Sequence, residues 1–193
     1  DEGVKIYGVE AGGHGLDVLG GGRLVLGPPL AHHVPADGAV GDLGADVDCM
    51  EEAWWTPGSL LPDGKYGGFH VPGESGKQHV VIVGPDGKRV GNEAGAYMEF
   101  GQRMYAKGAV PSWAVFESRM IRNYSCGPLL PGKSVTPWIG NGYLTTANTI
   151  GELAQKCGID AAGLEAEMAR FNLFAERGVD EDFGRGASFH NKA

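Results

Sequence analysis

No apolar run in the sequence approaches the roughly 18 residues that a bilayer-spanning helix needs, so no membrane span is expected. The first residues, Asp1-Glu2-Gly3-Val4-Lys5, offer neither a basic n-region nor an apolar h-region, so no signal peptide is expected. Cysteine is scarce. Cys49, Cys126 and Cys157 are three in number and widely spaced, which argues against a disulfide framework and predicts a reduced, cytoplasmic setting. Positive charge is also short, with 16 Lys and Arg against 24 Asp and Glu and a formal net charge of −8. Such a surface repels phosphate backbones, so nucleic acid is not expected as a partner. Familiar chemical motifs are missing too. There is no Gly-x-Gly-x-x-Gly between a strand and a helix, since Gly20-Gly21-Gly22-Arg23-Leu24 has the wrong spacing. There is no phosphate-binding P-loop, no Cys-x-x-Cys and no His-Glu-x-x-His. His32-His33 suits neither a helical nor a strand metal face, and Ser125 and Ser134 have no nucleophile-elbow context. No metal site is expected.

Glycine is abundant instead. The chain carries 34 glycines in 193 residues, which predicts many turns and close backbone approaches rather than long regular elements. That length holds one substantial core, or one core and an appendage. The stretch before Gly44 has short β-like runs at Val4 to Val9 and Arg23 to Leu26 but few bulky apolar residues, so it must lean on the rest. His79 to Val83 reads as a strand, Gly84-Pro85-Asp86-Gly87 as a tight turn, and Lys88-Arg89-Val90 as the return strand. Tyr97 to Lys107 reads as a helix with Phe100, Met104 and Tyr105 inward and Gly108 just past its end. Trp113 to Phe116 reads as a strand, and Cys126 to Pro137 as a loop. Thr149-Ile150-Gly151-Glu152 fits a capping box opening a helix that stops at Gly158. Asp160 caps a second helix with a stripe of Leu164, Met168, Phe171 and Ala175, ended by Gly178.

Aromatic residues are numerous where charges are few: Trp54, Trp55, Phe69, Tyr97, Phe100, Tyr105, Trp113, Phe116 and Tyr124. They form either a packed core or the lining of a pocket for a flat apolar ligand, and sequence alone leaves both open.

Gly87-Lys88-Arg89-Val90-Gly91-Asn92-Glu93, directly after the hairpin turn, is more specific. It resembles the cap domain of the FAD-dependent fumarate reductase/3-ketosteroid dehydrogenase superfamily. Three other stretches, in order, are similar to the same family: Gly44 to Met50 with Ala53-Trp54-Trp55, Thr149 to Ala154 with Arg170-Phe171-Asn172, and Asp182-Phe183-Gly184-Arg185-Gly186. The resemblance implies an α+β cap domain over 44–193, with a β-hairpin or small antiparallel sheet and a C-terminal helix pair. Residues 1–43 are then a glycine-rich remnant of a flavin-domain region, where Gly12 and Gly13 stand beside the cofactor. The implied cofactor is FAD, and the flavin domain itself is expected to be missing from the chain. Without a dinucleotide fingerprint the chain alone is not expected to bind FAD tightly. Fumarate reductases place an arginine shortly after the Asn-Glu pair to clamp a dicarboxylate. Residues 94–101 hold neither Arg nor Lys, and Tyr97 stands there instead. The steroid 1-dehydrogenase branch carries a tyrosine at about this place as proton acceptor. The implied chemistry is dehydrogenation of a 3-ketosteroid-like cyclic ketone, a proton leaving the carbon beside the carbonyl and hydride passing to flavin. Tyr97 is then the catalytic residue, and Trp54, Phe69, Phe100, Trp113 and Phe116 the substrate-binding wall. A core-packed Tyr97 is the alternative. Two rival functions are a fumarate reductase-like enzyme for an unsaturated acid and a non-catalytic domain that has lost its flavin site.

Overall fold

The computed structural model describes residues 18–26, 57–59, 61–63, 76–126 and 129–189. Its elements follow in the order β1 (Val18–Leu26), β2 (Pro57–Ser59), β3 (Val80–Val83), α1 (Tyr97–Ala106), β4 (Ser112–Glu117), α2 (Ser118–Asn123), α3 (Thr136–Gly140), β5 (Thr145–Ala147), α4 (Ile150–Cys157) and α5 (Ala161–Arg177). The class is α+β, as expected. The sheet is larger than a hairpin, with five antiparallel strands. β1 pairs with β4 on one side. On the other side its two halves pair with β5 and β2. Thus a strand from the stretch before Gly44 is bonded to three strands that follow it. Its register against β4 slips between Gly20 and Arg23. The glycine run that fails as a nucleotide fingerprint is therefore a bulge in a central strand.

The sheet is covered on both faces, which is why β3 reads as the unbroken run Val80-Val81-Ile82-Val83, all buried. Alternate residues point to opposite faces. Val81, Val83 and Val115 meet Leu153, Ala154, Leu164 and Met168 of the helix pair α4–α5. Val80 and Phe116 meet Met120, Ile121, Tyr143 and Leu144. Ile82 meets Val90, Phe100 and Met104. Tyr105, expected inward on α1, is 53% exposed. On this ten-residue helix only Phe100, Gly101 and Met104 are buried.

The expected hairpin is present in a reduced form. β3 takes β4 as its main partner. Its return limb is a single bridge, Val83 to Arg89, plus the Val90 N–H donating to the Ile82 carbonyl at 3.0 Å. The turn needs glycine at Gly87, where φ is +75°. Its tip is docked on the start of α5, with the Asp160 N–H donating to Pro85 O at 2.9 Å. A Cβ on Gly163 would lie 2.1 Å from Asp86 O.

The helix pair follows its caps. Thr149 Oγ1 accepts the Glu152 N–H at 3.1 Å. Glu152 reaches back to the Asn148 N–H at 3.0 Å, one residue earlier than a capping box predicts. Asp160 caps α5 through the Ala162 N–H, and Gly158 and Gly178 end the two helices in the left-handed region. On α5 the buried residues are Leu164, Met168 and Phe174. Phe174 takes the place expected for Ala175 because a core-facing stripe is wide enough to admit the larger ring. The region read as a loop up to Pro137 already contains the start of α3, with proline in its first turn, where its missing N–H costs nothing. Among the described residues no helix is long and apolar enough to cross a membrane.

Candidate functional site

The motif that follows the hairpin folds into a buried ionic cluster. Arg89 is 2% exposed and Glu93 2%. The Arg89 guanidinium donates from Nε to Glu93 Oε1 at 2.9 Å and from Nη2 to Oε2 at 2.7 Å. Its other edge is bidentate to Asp180, at 3.1 and 3.0 Å. The rings of Phe171 and Phe183 lie 4.7 and 5.1 Å from its carbon. Arg185 closes the cluster, donating to Glu93 Oε2 at 3.2 Å, to Val80 O at 2.8 Å and to Lys77 O at 2.6 Å. Two guanidinium groups face two carboxylates, so the cluster is neutral as a whole, the condition for keeping charges out of water. Burial pulls the Arg89 pKa down, but the bonds to Glu93 and Asp180 outweigh it and hold it above the ordinary value. Burial pushes the Asp180 carboxyl up; the Arg89 bonds and the N–H groups of Arg185 and Phe183 hold it below the usual range.

Asn92, next to Glu93, links the cluster to α1. Its Oδ1 accepts the Ala94 N–H at 3.0 Å, its backbone carbonyl accepts the Gly95 N–H at 3.0 Å, and its Nδ2 donates to Phe183 O at 3.3 Å. Tyr97 then begins α1, half-buried. Beside it lies a cavity of about 260 Å³ walled by Asn92, Ala94, Gly95, Phe100, Arg103 and Phe183. Tyr97 is not part of that wall. A second charged group sits where β3 begins and β4 ends. The buried Glu117 carboxylate is 2.6 Å from His79 Nδ1, and Arg119 Nη2 donates to it at 3.0 Å. Burial pushes the Glu117 carboxyl up, but these two partners bring it below the usual range. His79 has φ +68°, an uncommon value for a side chain of its size.

The expected aromatic wall is dispersed among the described residues. Phe100 is 4% exposed in the cluster under α1 and also edges the cavity. Phe116 is 2% exposed in the cluster with Met120 and Leu144. Trp113 packs on the opposite face of the sheet, against the helix pair. Phe116 and Trp113 are three apart on β4, so strand alternation sends them to opposite sides. Trp54, Phe69, Gly12 and Gly13 lie outside the described residues. Asp180 was not legible as a partner of Arg89. The two are 91 residues apart, and the available signal was only a buried-type motif arginine with one acid four residues away.

The N-termini of α4 and α5 are closed by the chain's own Thr149 and Asp160, and α2 follows the Glu117 carboxylate. None of the described helices follows a strand through a Gly-x-Gly-x-x-Gly turn. Nor do the described residues gather three metal-ligating side chains in one place.

Residues 25–192 match the family model described as FAD binding domain. A 3-oxosteroid 1-dehydrogenase of Mycobacterium tuberculosis (strain ATCC 25618 / H37Rv) is 36% identical over 160 residues, 78% of this chain and 28% of that protein. A 4-oxocyclohex-2-ene-1-carboxylate 5-dehydrogenase of Sinomonas cyclohexanicum is 35% identical over 144 residues, 71% of this chain and 24% of that protein. Among solved structures, the 3-ketosteroid delta1-dehydrogenase of Sterolibacterium denitrificans, crystallised with 1,4-androstadiene-3,17-dione, superposes with a TM-score of 0.69 at 31% identity. That match covers 82% of this chain and 30% of the other. The chain thus spans less than a third of the length of each of these relatives. With a family model matched over most of its length and relatives of this identity, the chain belongs to the FAD-dependent family of 3-ketosteroid dehydrogenases and fumarate reductases.

Proposed function

We propose that this chain is the substrate-facing, cap part of a flavin-dependent oxidoreductase that dehydrogenates a 3-ketosteroid-like cyclic ketone, with Tyr97 as the proton acceptor. The observation that carries the reading is the placement of Tyr97. It is the first residue of α1, four residues after Glu93 of an Asn-Glu segment clamped by the buried cluster, and half-buried rather than sealed in the core. The proton it takes is the one on the carbon next to the substrate carbonyl, which the carbonyl acidifies. A tyrosine suits this step when neighbours favour its ionised form. The likeness to 3-oxosteroid 1-dehydrogenases over 78% of the chain supports an apolar ketone. The absence of Arg and Lys from residues 94–101 tells against the dicarboxylate clamp of a fumarate reductase. Phe100, at the cavity edge, is the described aromatic we assign to the substrate side, together with Trp54 and Phe69. FAD, the family's cofactor, supplies the two-electron acceptor when bound. The odd, widely separated cysteines support a cytoplasmic setting.

Tyr97→Phe tests this reading, because it keeps the ring and removes only the hydroxyl. In the FAD-loaded enzyme, turnover of a 3-ketosteroid is expected to fall by about 10²–10⁴ with an unchanged melting temperature. Near-normal turnover would remove Tyr97 from the mechanism and the preference for a ketone over a diacid with it.

A further inference from the structure

We propose that Asn92 is a positioning residue for Tyr97, and that the buried cluster of Arg89, Glu93, Asp180 and Arg185 is the fixed frame it works from. The proposal rests on the reading of Tyr97 as the proton acceptor. Helix α1 has Ala96 as its N-cap, without a side-chain cap, so the helix entry is not set from that position. Ala94, Gly95 and Ala96 reach no further than a methyl group. The direction in which the chain enters α1 is set instead by the turn that Asn92 makes. Its side-chain oxygen holds the Ala94 N–H and its backbone oxygen the Gly95 N–H. The turn is tight, since a Cβ on Gly95 would come 3.1 Å from Asn92 O.

The other half of the Asn92 amide faces away from the helix, to Phe183 O at 3.3 Å. Both ends of this bridge are immobilised by the same cluster. Glu93, the next residue, accepts from Ile82 N, Arg89 Nε and Nη2, and Arg185 Nη1. Phe183 belongs to a loop wrapped on Asp180, which accepts the N–H groups of Asp182, Phe183 and Arg185 as well as those of Arg89 Nη1 and Nη2. A carboxylate with this many donors has little freedom to turn, and moving either acid would leave a buried cation uncompensated. Asn92 therefore transfers the geometry of a rigid, neutral cluster to the first residue of α1. A reacting group misplaced by about 1 Å loses on the order of 10²-fold in rate, so such a transfer has catalytic weight.

A double-mutant cycle in the FAD-loaded enzyme separates positioning from mere stability. Asn92→Ala removes both side-chain bonds; Asn92→Asp keeps the acceptor for Ala94 and removes the donor to Phe183. Asn92→Ala is expected to lower kcat by about 10–100-fold with a much smaller change in KM, and Asn92→Asp to lower it less. In a Tyr97→Phe background the same substitutions are expected to have little further effect, because their action runs through the lost hydroxyl. An undiminished loss in that background would overturn the proposal. Full activity in Asn92→Ala would do so too. If Tyr97→Phe alone turns over normally, the underlying reading fails and this proposal with it, a result distinct from the other two. Should Asn92→Ala not fold, Asn92→Asp in the 193-residue chain with 13C-labelled tyrosine gives the answer. A shift of the Tyr97 ring resonance larger than that of Tyr105 and Tyr143 is expected, and an unmoved Tyr97 resonance would overturn the proposal.

Discussion

Arg89 shows how one side chain converts a short motif into tertiary structure. Both edges of its guanidinium are bidentate to carboxylates, and the rings of Phe171 and Phe183 lie close to its carbon. Breaking such a buried set leaves a charge without a partner, at a cost of about 3–5 kcal/mol, whereas an exposed pair is worth under about 1 kcal/mol. Asp180→Asn is therefore expected to cost about 3 kcal/mol in urea denaturation at neutral pH, the low end of that range because Glu93 still faces Arg89. A loss below about 1 kcal/mol would mean that the cluster behaves as a surface pair. The pH dependence has a definite sign. The folded Asp180 carboxyl is held below its ordinary value of 3.8. Its contribution is whole above that value and disappears as pH falls through it toward the depressed folded value, because the unfolded chain takes up the proton first. Asp180→Asn should lose this part of the acid limb while keeping the part due to Glu117, which is depressed in the same direction.

At the scale of elements, two substitutions on the helix pair should act with different strength and for different reasons. Thr149→Ala removes the side-chain acceptor for the Glu152 N–H and is expected to cost about 1 kcal/mol, read as a shift in melting temperature. Gly163→Ala would ordinarily stabilise a helix by about 1 kcal/mol. Here the new Cβ falls 2.1 Å from Asp86 O, so the hairpin tip must move off α5. A net destabilisation of about 1–3 kcal/mol is expected, and a stabilised Gly163→Ala would show that the hairpin is not docked there. The caps at Thr149, Asp160, Gly158 and Gly178 were legible because a cap is a local event, settled within four residues. The buried face of α5 was legible at Leu164 and Met168 and missed at Phe174, since the width of a buried stripe depends on what it packs against.

For the whole molecule, the sheet carries helices on both faces, and its central strand comes from the glycine-rich stretch before Gly44. The sequence has no Gly-x-Gly-x-x-Gly turn to seat a pyrophosphate at a helix N-terminus, so the 193-residue chain is expected to elute from gel filtration without bound flavin. A stoichiometric yellow protein would contradict this. The amino-acid sequence by itself determined the local events: the turn at Gly87, the helix caps, the buried run of β3 and the family-like order of its motifs. These depend on residues within a few positions of one another, where φ preferences and short hydrogen bonds decide. Only the tertiary structure decided that Arg89 is shared with Asp180, that Trp113 and Phe116 serve different cores, and that Asn92 bridges to Phe183. Those pairings join groups separated by tens of residues, or divide neighbours between the two faces of a sheet. Which partner each side chain meets is set by how the layers stack, through burial and the need of every buried charge for an opposite one.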